Sequence, residues 1–303
     1  MDEPWSRFRV LPEDLHTSNR PSLTAQAVTL YRALEMRRPA HDRIVSDPYA
    51  QHFLNPAVRA AASGLGLALP AIDIAERNST TGLSTYVLCR HRFIDDHLSD
   101  ALDDGVEQVI ILGAGYDSRA YRFADQLDGR AVYEVDLPPL SRRKAEIVAS
   151  HPEHFGHASI HRVEIDFRTQ SLSDQLEDAG FSSGSPTFVV WEGVAPYLDA
   201  AAVSATLAAL GTLCGEGSVL AMDMWDGAGG TGPLAGLRRL GALAIALVGE
   251  PVTFGAQPDA MADLLAPHGF TVADLAESEE MTARYATLGR RAPQSVYVLA
   301  ALR

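Results

Sequence analysis

The chain has 303 residues, 47% of them apolar, and its 39 acidic residues exceed the 25 basic ones to give a net charge of −14. This length and apolar content suit one extended α/β domain or a domain with a cap. The acidic balance argues against nucleic acids and anionic membranes as partners, because both are bound through clustered lysine and arginine.

We expect neither an export signal nor a membrane anchor. The N-terminus has no basic segment followed by an apolar one, and the longest apolar stretch, residues 241–248, is far too short to cross a bilayer. Cys89 and Cys214 stand far apart and form neither a disulfide framework nor a metal pair. This cysteine usage is typical of a reducing compartment, and we expect a cytoplasmic protein.

The N-terminal third is predicted to be helical. Apolar residues recur at helical spacing from Thr24 to Arg37, and a second amphipathic helix is predicted from Leu83 to Leu102. Asp47-Pro48-Tyr49-Ala50 is typical of a turn that opens a short helix. We therefore assign residues 1–104 to an N-terminal helical cap.

From residue 105 onward, short β-branched runs alternate with helical stretches. Strands are predicted at Gln108–Leu112, Ala131–Val135, Ser159–Ile165, Thr187–Trp191, Ser218–Met222, Phe270–Leu275 and Ser295–Ala301. Helices are predicted at Leu140–Ser150, Leu172–Ala179, Ala200–Leu213 and Asp259–Leu265. The alternation predicts an α/β, Rossmann-like domain over residues 105–303 with a mostly parallel seven-stranded sheet. A helical cap insertion is predicted at about residues 226–256.

The strand ends carry residues suited to a ligand, and ligands of open α/β sheets bind beyond the carboxyl ends of the strands. The first strand runs into Gly113-Ala114-Gly115, where glycines let a ligand approach the backbone. The second ends in Asp136, at the spacing where such folds bind ribose hydroxyls. The third ends in Asp166-Phe167, an acid and an apolar ring that suit adenine, and the fourth in Glu192-Gly193. One such acid could equally cap a helix, so the prediction depends on the set.

The glycine turn also distinguishes between cofactors. A dinucleotide site has a third glycine, because a pyrophosphate lies on the helix N-terminus. Here Ser118 takes that position, and the Asp117 carboxylate before it would repel a pyrophosphate. The pattern favours a phosphate-free nucleoside that carries an amino acid and a sulfonium. An NAD(P)-dependent Rossmann oxidoreductase and a non-catalytic protein that retains the cofactor fold remain as alternatives.

In this order, the motifs resemble the leucine carboxyl methyltransferase family, in particular its actinobacterial branch of S-adenosylmethionine-dependent methyltransferases. The resemblance runs from Thr24 to the C-terminus, and Asp117-Ser118-Arg119 stands where the family often has Asp-Thr-Arg. The motifs are Thr24-Ala25 with Arg32-Ala33, Asp47 to Ala50, Arg90 to Asp96, Leu112 to Arg119, Tyr133 to Pro138 with Lys144, Ile165 to Phe167, and Glu192 to Val194 with Tyr197-Leu198.

The resemblance implies a class I methyltransferase that binds S-adenosyl-L-methionine and releases S-adenosyl-L-homocysteine. Arg90, with Arg92 as a near competitor, would bind the cofactor's carboxylate, and Glu192 would contact its amino group. The glycine turn would lie under its methionine part, and the N-terminal helices and the insertion would cap the acceptor pocket. The expected cofactor-binding set is Arg90, Gly113, Ala114, Gly115, Asp136, Leu137, Asp166, Phe167, Glu192 and Gly193.

The acceptor is predicted from chemistry alone. Methyl transfer from a sulfonium depends mainly on positioning, and a carboxylate acceptor needs no general base. We place no histidine inside these motifs, which favours a carboxylate or an easily ionised hydroxyl. Tyr197 is the candidate catalytic residue and acceptor wall, and Trp225 is a second wall, although ordinary packing explains either residue equally well. We expect O-methylation of a small molecule, in secondary metabolism, by a monomer or homodimer.

Four histidines form a run before the third strand: His151, His154, His157 and His161. Their spacing would suit one face of a helix, but Pro152 and Gly156 interrupt a regular helix there. A zinc site also needs fixed ligand geometry and supporting contacts. We therefore expect no metal site.

Overall fold

A computed structural model describes residues 23–65, 69, 82–155, 159–167, 169–226, 253–293 and 296–303. The helices are α1 (Leu23–Glu35), α2 (Ala50–Phe53), α3 (Pro56–Leu65), α4 (Leu83–Asp103), α5 (Arg119–Arg122), α6 (Pro138–Ser150), α7 (Leu172–Asp178), α8 (Ala200–Leu213), α9 (Met261–Leu265) and α10 (Ser278–Tyr285). The strands are β1 (Gln108–Leu112), β2 (Ala131–Asp136), β3 (Ile160–Glu164), β4 (Thr187–Trp191), β5 (Val219–Trp225), β6 (Thr271–Glu277) and β7 (Val296–Leu302).

The seven strands form one sheet in the order β3-β2-β1-β4-β5-β7-β6. The first five strands pair in parallel, and β7 is antiparallel to both of its neighbours. The chain adds strands outward from β1 in one direction and then restarts at β4 in the other. Such a reversal leaves a crevice at the carboxyl ends of β1 and β4, where open α/β sheets bind ligands.

Each face of the sheet is covered by helices, so the central strands are buried on both sides and are largely apolar. All residues of β1 and β4 are buried. Because side chains alternate along a strand, Ile110 packs in a core that includes α7 and α8, whereas Ile111 packs against α4 on the opposite face. The helix α4 is 21 residues long and packs closely on the sheet.

The observed fold confirms the prediction of a mostly parallel, seven-stranded α/β sheet. The predicted end of β5 at Met222 is wrong, because the strand continues to Trp225 and places Asp223 inside the sheet. The helix α10 was not predicted, since its polar sequence has little helical apolar spacing.

The proposed division at residue 104 stays a prediction. Most of the predicted cap at 226–256 lies outside the described residues, as does part of the N-terminal segment. At the far end of that insertion, the amides of Thr253 and Phe254 donate to the carbonyl of Pro196. Across the part of the chain that the structure describes, every helix is too short or too polar to cross a bilayer.

Candidate active site

The glycine turn after β1 lies at the centre of the candidate site. Gly113 and Gly115 have positive φ angles of 61° and 42°, which glycine adopts without strain. A Cβ on Gly113 would stand 2.2 Å from a methyl carbon of Val194, in the turn after β4. The two turns that flank the strand-order reversal are therefore in direct contact, and only a glycine permits this approach.

Asp136 ends β2 with its carboxylate against this turn. The amide of Gly115 donates to Oδ2 at 2.5 Å, and the amide of Leu137 donates to Oδ1 at 2.6 Å. Burial raises the pKa of Asp136 to about 6, although the two amide hydrogen bonds act in the opposite direction. Each oxygen keeps an unused lone pair, so a ribose with two adjacent hydroxyls fits the group.

The remaining members of the predicted nucleoside set lie along the same edge. Leu137 is 47% exposed, whereas most leucines among the described residues are buried or half-buried, and it leaves an apolar surface beside Asp136. Asp166 and Phe167 follow β3, the neighbour of β2, and both are half-buried. Their assignment to adenine stays a prediction.

Glu192 and Arg90 meet at the end of β4. Arg90 extends from α4, and its Nε lies 2.9 Å from Glu192 Oε1. Its Nη1 lies 2.7 Å from Asp223 Oδ2, an acid that we did not predict as part of the site. Gly193 has a φ of 68° and donates its amide to Asp223 Oδ1 at 2.5 Å. Arg92, the predicted alternative to Arg90 for binding the cofactor's carboxylate, pairs with Asp96 on the surface.

A second group of charges, also unpredicted, continues from Glu192. Arg119, at the start of α5, is fully buried; its Nη1 lies 2.8 Å from Glu192 Oε2 and also pairs with Asp117. Its Nε donates to Asp95 Oδ1 at 2.8 Å, and Arg122 donates to both oxygens of Asp95 at 2.6 and 2.9 Å. The sequence held one signal for this group: Arg119 and Arg122 are three positions apart, and residues three or four apart share one helix face.

This network holds its acids in the charged form. Burial alone raises the pKa of Glu192, but its electrostatic interactions with His91, Arg119 and Arg90, together with a hydrogen bond from His91, bring the pKa well below its usual range. Burial likewise opposes ionisation of Asp95, and here the guanidiniums outweigh it to lower the pKa. The carboxylates are therefore available as fixed negative charges at neutral pH.

The expectation that no histidine belongs to these motifs is wrong. His91 follows Arg90 in α4, is buried, and has Nδ1 at 3.0 Å from Glu192 Oε2. Burial lowers its pKa, and Arg119 lowers it further. His91 stands inside the motif Arg90 to Asp96, but the argument about the acceptor counted only the residues at the strand ends.

The N-terminal motifs anchor α1 over the glycine turn. Arg32 in α1 pairs with Asp47 at 2.7 Å and donates to the carbonyl of Tyr116 at 2.8 Å. Ser118 donates to the same Asp47 carboxylate at 2.7 Å, and the other Asp47 oxygen accepts from the amide of Ala50 at the start of α2. These residues are polar and buried, and their contacts hold α1 and the start of α2 against the glycine turn.

The candidate acceptor walls lie near this edge. Tyr197 ends a 3₁₀ turn, Ala195–Tyr197, that follows Glu192, and its side chain is half-buried. Trp225 ends β5, is half-buried and packs against the core on the α4 side, so packing accounts for part of its surface. Their roles at the acceptor stay predictions.

The described residues bring three metal-type ligand atoms within 4.8 Å of one another in a single group, formed by His91, Asp117 and Glu192. Arg119 already pairs with both carboxylates, so a guanidinium supplies the positive charge there. Of the predicted histidine run, His151 and His154 lie near His52, with ring centroids 5.6 and 4.2 Å from its own. His161 stacks on Tyr133 instead, and His157 lies outside the described residues.

Comparison with known proteins gives a family and close relatives. The family model described as leucine carboxyl methyltransferase matches residues 25–211. A proposed S-adenosyl-L-methionine-dependent methyltransferase of Rhodococcus jostii (strain RHA1) is 38% identical over 201 residues, which cover 66% of this chain and 65% of that protein. A proposed enzyme of the same type from Streptomyces coelicolor is 32% identical over 249 residues, 82% of each chain. The match thus spans slightly less than two thirds of the Rhodococcus relative's length.

Solved structures show the same fold at low sequence identity. A proposed methyltransferase from Thermobifida fusca YX has a TM-score of 0.56 and 15% identity, over 97% of this chain and 99% of that one. A duf574 family protein from Streptomyces avermitilis has a TM-score of 0.57 and 13% identity, over 91% of this chain and 97% of that one. These similarities confirm the α/β methyltransferase fold.

Proposed function

Because the chain belongs to the leucine carboxyl methyltransferase family of S-adenosylmethionine-dependent methyltransferases, we propose that it transfers a methyl group to an oxygen of a small acceptor, a carboxylate or a hydroxyl. The observation that carries the proposal is the pair of acids that flank the glycine turn. Asp136 contacts the turn from β2, and Glu192 follows β4 on the other side of the strand-order reversal. The two lie at the position where such folds bind a nucleoside.

The charged groups match the cofactor's amino acid end. Glu192 suits the ammonium group because its carboxylate is ionised and still has room for a donor. Arg90, His91 and Arg119 donate to it, whereas a carboxylate has about four lone-pair sites. Arg90 suits the carboxylate: among the described residues its Nη2 makes no hydrogen bond, and it stands 3.1 Å from where a Cβ of Gly193 would be. With glycine at 193, that guanidinium edge stays open.

The cofactor supplies an activated methyl group on its sulfonium. Transfer of that methyl group to the acceptor oxygen would form the O–CH₃ bond, break the S–CH₃ bond and leave the sulfur as a neutral thioether. A carboxylate reacts without losing a proton, whereas a hydroxyl must lose one. Of the described residues, His91 is held between Glu192 and two arginines, so it does not serve as the base. This favours an acceptor that is already ionised, with Tyr197 donating a hydrogen bond to it.

Cofactor binding is the first test. Titration calorimetry should detect S-adenosylmethionine binding to the wild-type chain and a loss of about a hundredfold or more for Asp136→Ala, which removes the acceptor of the ribose hydroxyls. NADH serves as the comparison ligand. Binding of NADH in place of S-adenosylmethionine, or equal affinity of wild type and Asp136→Ala, would contradict the proposal.

Methyl transfer is the second test. S-adenosylmethionine with a ¹³C-labelled methyl group is incubated with panels of small carboxylic acids, phenols and aliphatic alcohols. A methyl ester releases labelled methanol in mild base, whereas a methyl ether does not, so one hydrolysis step separates the two oxygen acceptors. Label on nitrogen, carbon or sulfur of the product would refute O-methylation. Cofactor binding without transfer to any panel member, at high enzyme concentration, would favour the non-catalytic alternative.

The family excludes the oxidoreductase alternative, and the remaining proposals rest on composition. The net charge of −14 supports a small-molecule acceptor and neither nucleic acid nor membrane as partner. We also propose a cytoplasmic monomer or homodimer that acts in secondary metabolism. Size-exclusion chromatography with light scattering tests the oligomeric state.

A further inference from the structure

The imidazole of His91 has charged neighbours at both ring nitrogens. Nε2 lies 2.8 Å from Arg122 Nη2. Nδ1 lies 3.0 Å from Glu192 Oε2, 3.3 Å from Oε1, and 2.9 Å from Arg119 Nη2. His91 is 2% exposed, so water cannot compensate for a mismatched contact.

These contacts select one protonation state. A guanidinium only donates hydrogen bonds, so Nε2 must accept from Arg122 and carries no proton. A carboxylate only accepts, so Nδ1 carries the proton and donates to Glu192. The alternative tautomer would place an N–H against Arg122 and a lone pair against the carboxylate. Arg119 Nη2 does not require a lone pair on Nδ1, because it also donates to the His91 carbonyl at 3.2 Å.

We propose that His91 is a positioning residue of the cofactor site, held by Arg122 as the neutral tautomer protonated on Nδ1, and that it fixes the Glu192 carboxylate in the orientation that receives the cofactor's ammonium group. This inference rests on the proposed function. The single Nδ1–H bridges both Glu192 oxygens, while Arg90 and Arg119 each contact one of them. Without the bridge, the carboxylate can rotate about its last bond and follow either arginine.

The proposal requires that the imidazole of His91 is uncharged. Burial and Arg119 lower the pKa of His91, whereas Glu192 and Asp95 oppose that change. The charged groups that face the ring are Arg119 and Arg122 from α5, Asp117 from the turn before α5, Glu192 from the β4 end, and Asp95 from α4 itself. The contacts of Nε2 with Arg122 and of Nδ1 with Glu192 assign the same uncharged state.

Nitrogen NMR tests the tautomer directly. In ¹⁵N-labelled protein at pH 7.5, the long-range proton–nitrogen spectrum should show His91 protonated on Nδ1, with the signal assigned by its loss in His91→Asn. Protonation on Nε2, or an imidazolium with both nitrogens protonated, would overturn the proposal.

Calorimetry with three ligands tests the role. S-adenosylmethionine and S-adenosylhomocysteine carry the ammonium group, whereas 5′-methylthioadenosine is the nucleoside without the amino acid. His91→Leu should weaken binding of the first two roughly tenfold and leave 5′-methylthioadenosine binding within about twofold. His91→Asn, whose side-chain amide offers a donor near the position of Nδ1, should restore binding to within about threefold of wild type. The matched control is His97→Leu, on the same helix, where the ring stacks on Phe93 away from the site.

The outcomes separate this inference from the function on which it rests. If the wild type binds none of the three ligands, the proposed function fails. If the wild type binds all three, and His91→Leu binds them equally well or weakens all three equally, His91 is a packing residue and the inference fails. Failure of His91→Asn to recover binding, with its melting temperature unchanged, would also count against it.

Discussion

The raised pKa of Asp136 predicts that cofactor binding depends on pH. In the proposed complex the ribose hydroxyls would donate to an ionised carboxylate, so the protein would have to lose the Asp136 proton before or during binding. Because burial raises the pKa of this group to about 6, the competent form is depleted in mildly acidic solution. An ordinary exposed aspartate, with a pKa near ~3.9, would show no such effect.

The magnitude follows from the pKa. At pH 7.5 nearly all Asp136 side chains are ionised, whereas at pH 5 only about one in ten is, so the apparent affinity for S-adenosylmethionine should fall about tenfold. The same titration affects the free protein. The folded state holds the proton more tightly than the unfolded chain does, so the stabilising contribution of Asp136 is complete below about pH 4. It declines as pH rises through about 6, by about 3 kcal/mol in all.

The assay is calorimetry of S-adenosylmethionine binding at pH 5.0, 6.0 and 7.5, each in two buffers of different ionisation enthalpy. At pH 5 the wild type should release about 0.9 proton per cofactor bound. Asp136→Asn keeps the size but cannot titrate, so it should bind at least tenfold more weakly at pH 7.5 and show little change across the range. Asp174→Asn removes an exposed acid on α7 and should behave like the wild type.

Two results would refute this reasoning. Affinity that is constant between pH 5 and 7.5, without proton release, would mean that Asp136 is already ionised at pH 5. A pH dependence that persists unchanged in Asp136→Asn would assign the titration to another group, with His91 the first candidate.

Three further predictions concern the charged network and the glycine turn. Arg119→Met leaves three buried carboxylates without their shared cation and should cost about 3–5 kcal/mol in urea unfolding, whereas Arg142→Met, which breaks an exposed pair, should cost under about 1 kcal/mol. Asp95 has a lowered pKa, so its stabilisation is present above about pH 4 and is lost as pH falls below it; acid titration of Asp95→Asn should show a shallower loss than the wild type. Gly113→Ala should abolish cofactor binding through its contact with Val194, and adding Val194→Ala should recover part of it, while independent effects of the two changes would contradict the contact.

The fold was predictable because its strands have a strong local signature. Each central strand is buried on both faces, so it appears in the sequence as a largely apolar run that ends at a glycine or an acid. The bounds of β1 and β4 were predicted to the residue. The helix α10 lacks this signature: it buries Ser278 and Met281 and exposes much of the rest, so its position depends on tertiary contact with α4 and β6.

The site was predictable only in part, because a strand-end rule finds residues on the sheet and not those that reach it from elsewhere. Asp136 and Glu192 follow strands, so the rule could propose them. Arg119 and Asp95 meet at 2.8 Å although 24 positions separate them in sequence, and Asp223 was interpreted as following β5 when it lies within it. Pairing of this kind depends on how α4 crosses the ends of β4 and β5, which no local pattern records.

The buried charges of this site are better explained by ligand geometry than by stability. A buried ion pair is often no more stabilising than apolar residues of the same size, because desolvation offsets the attraction. Yet three arginines and four acids, Arg90, Arg119 and Arg122 with Asp95, Asp117, Glu192 and Asp223, are packed together at one end of the sheet. Each acid is fixed by at least one guanidinium, so a cofactor bound as proposed would meet groups that are already oriented, and little free energy would be lost in ordering them. The sum of three positive and four negative charges also leaves one negative charge. It complements an amino acid end that carries an ammonium, a carboxylate and a sulfonium, provided that His91 stays neutral.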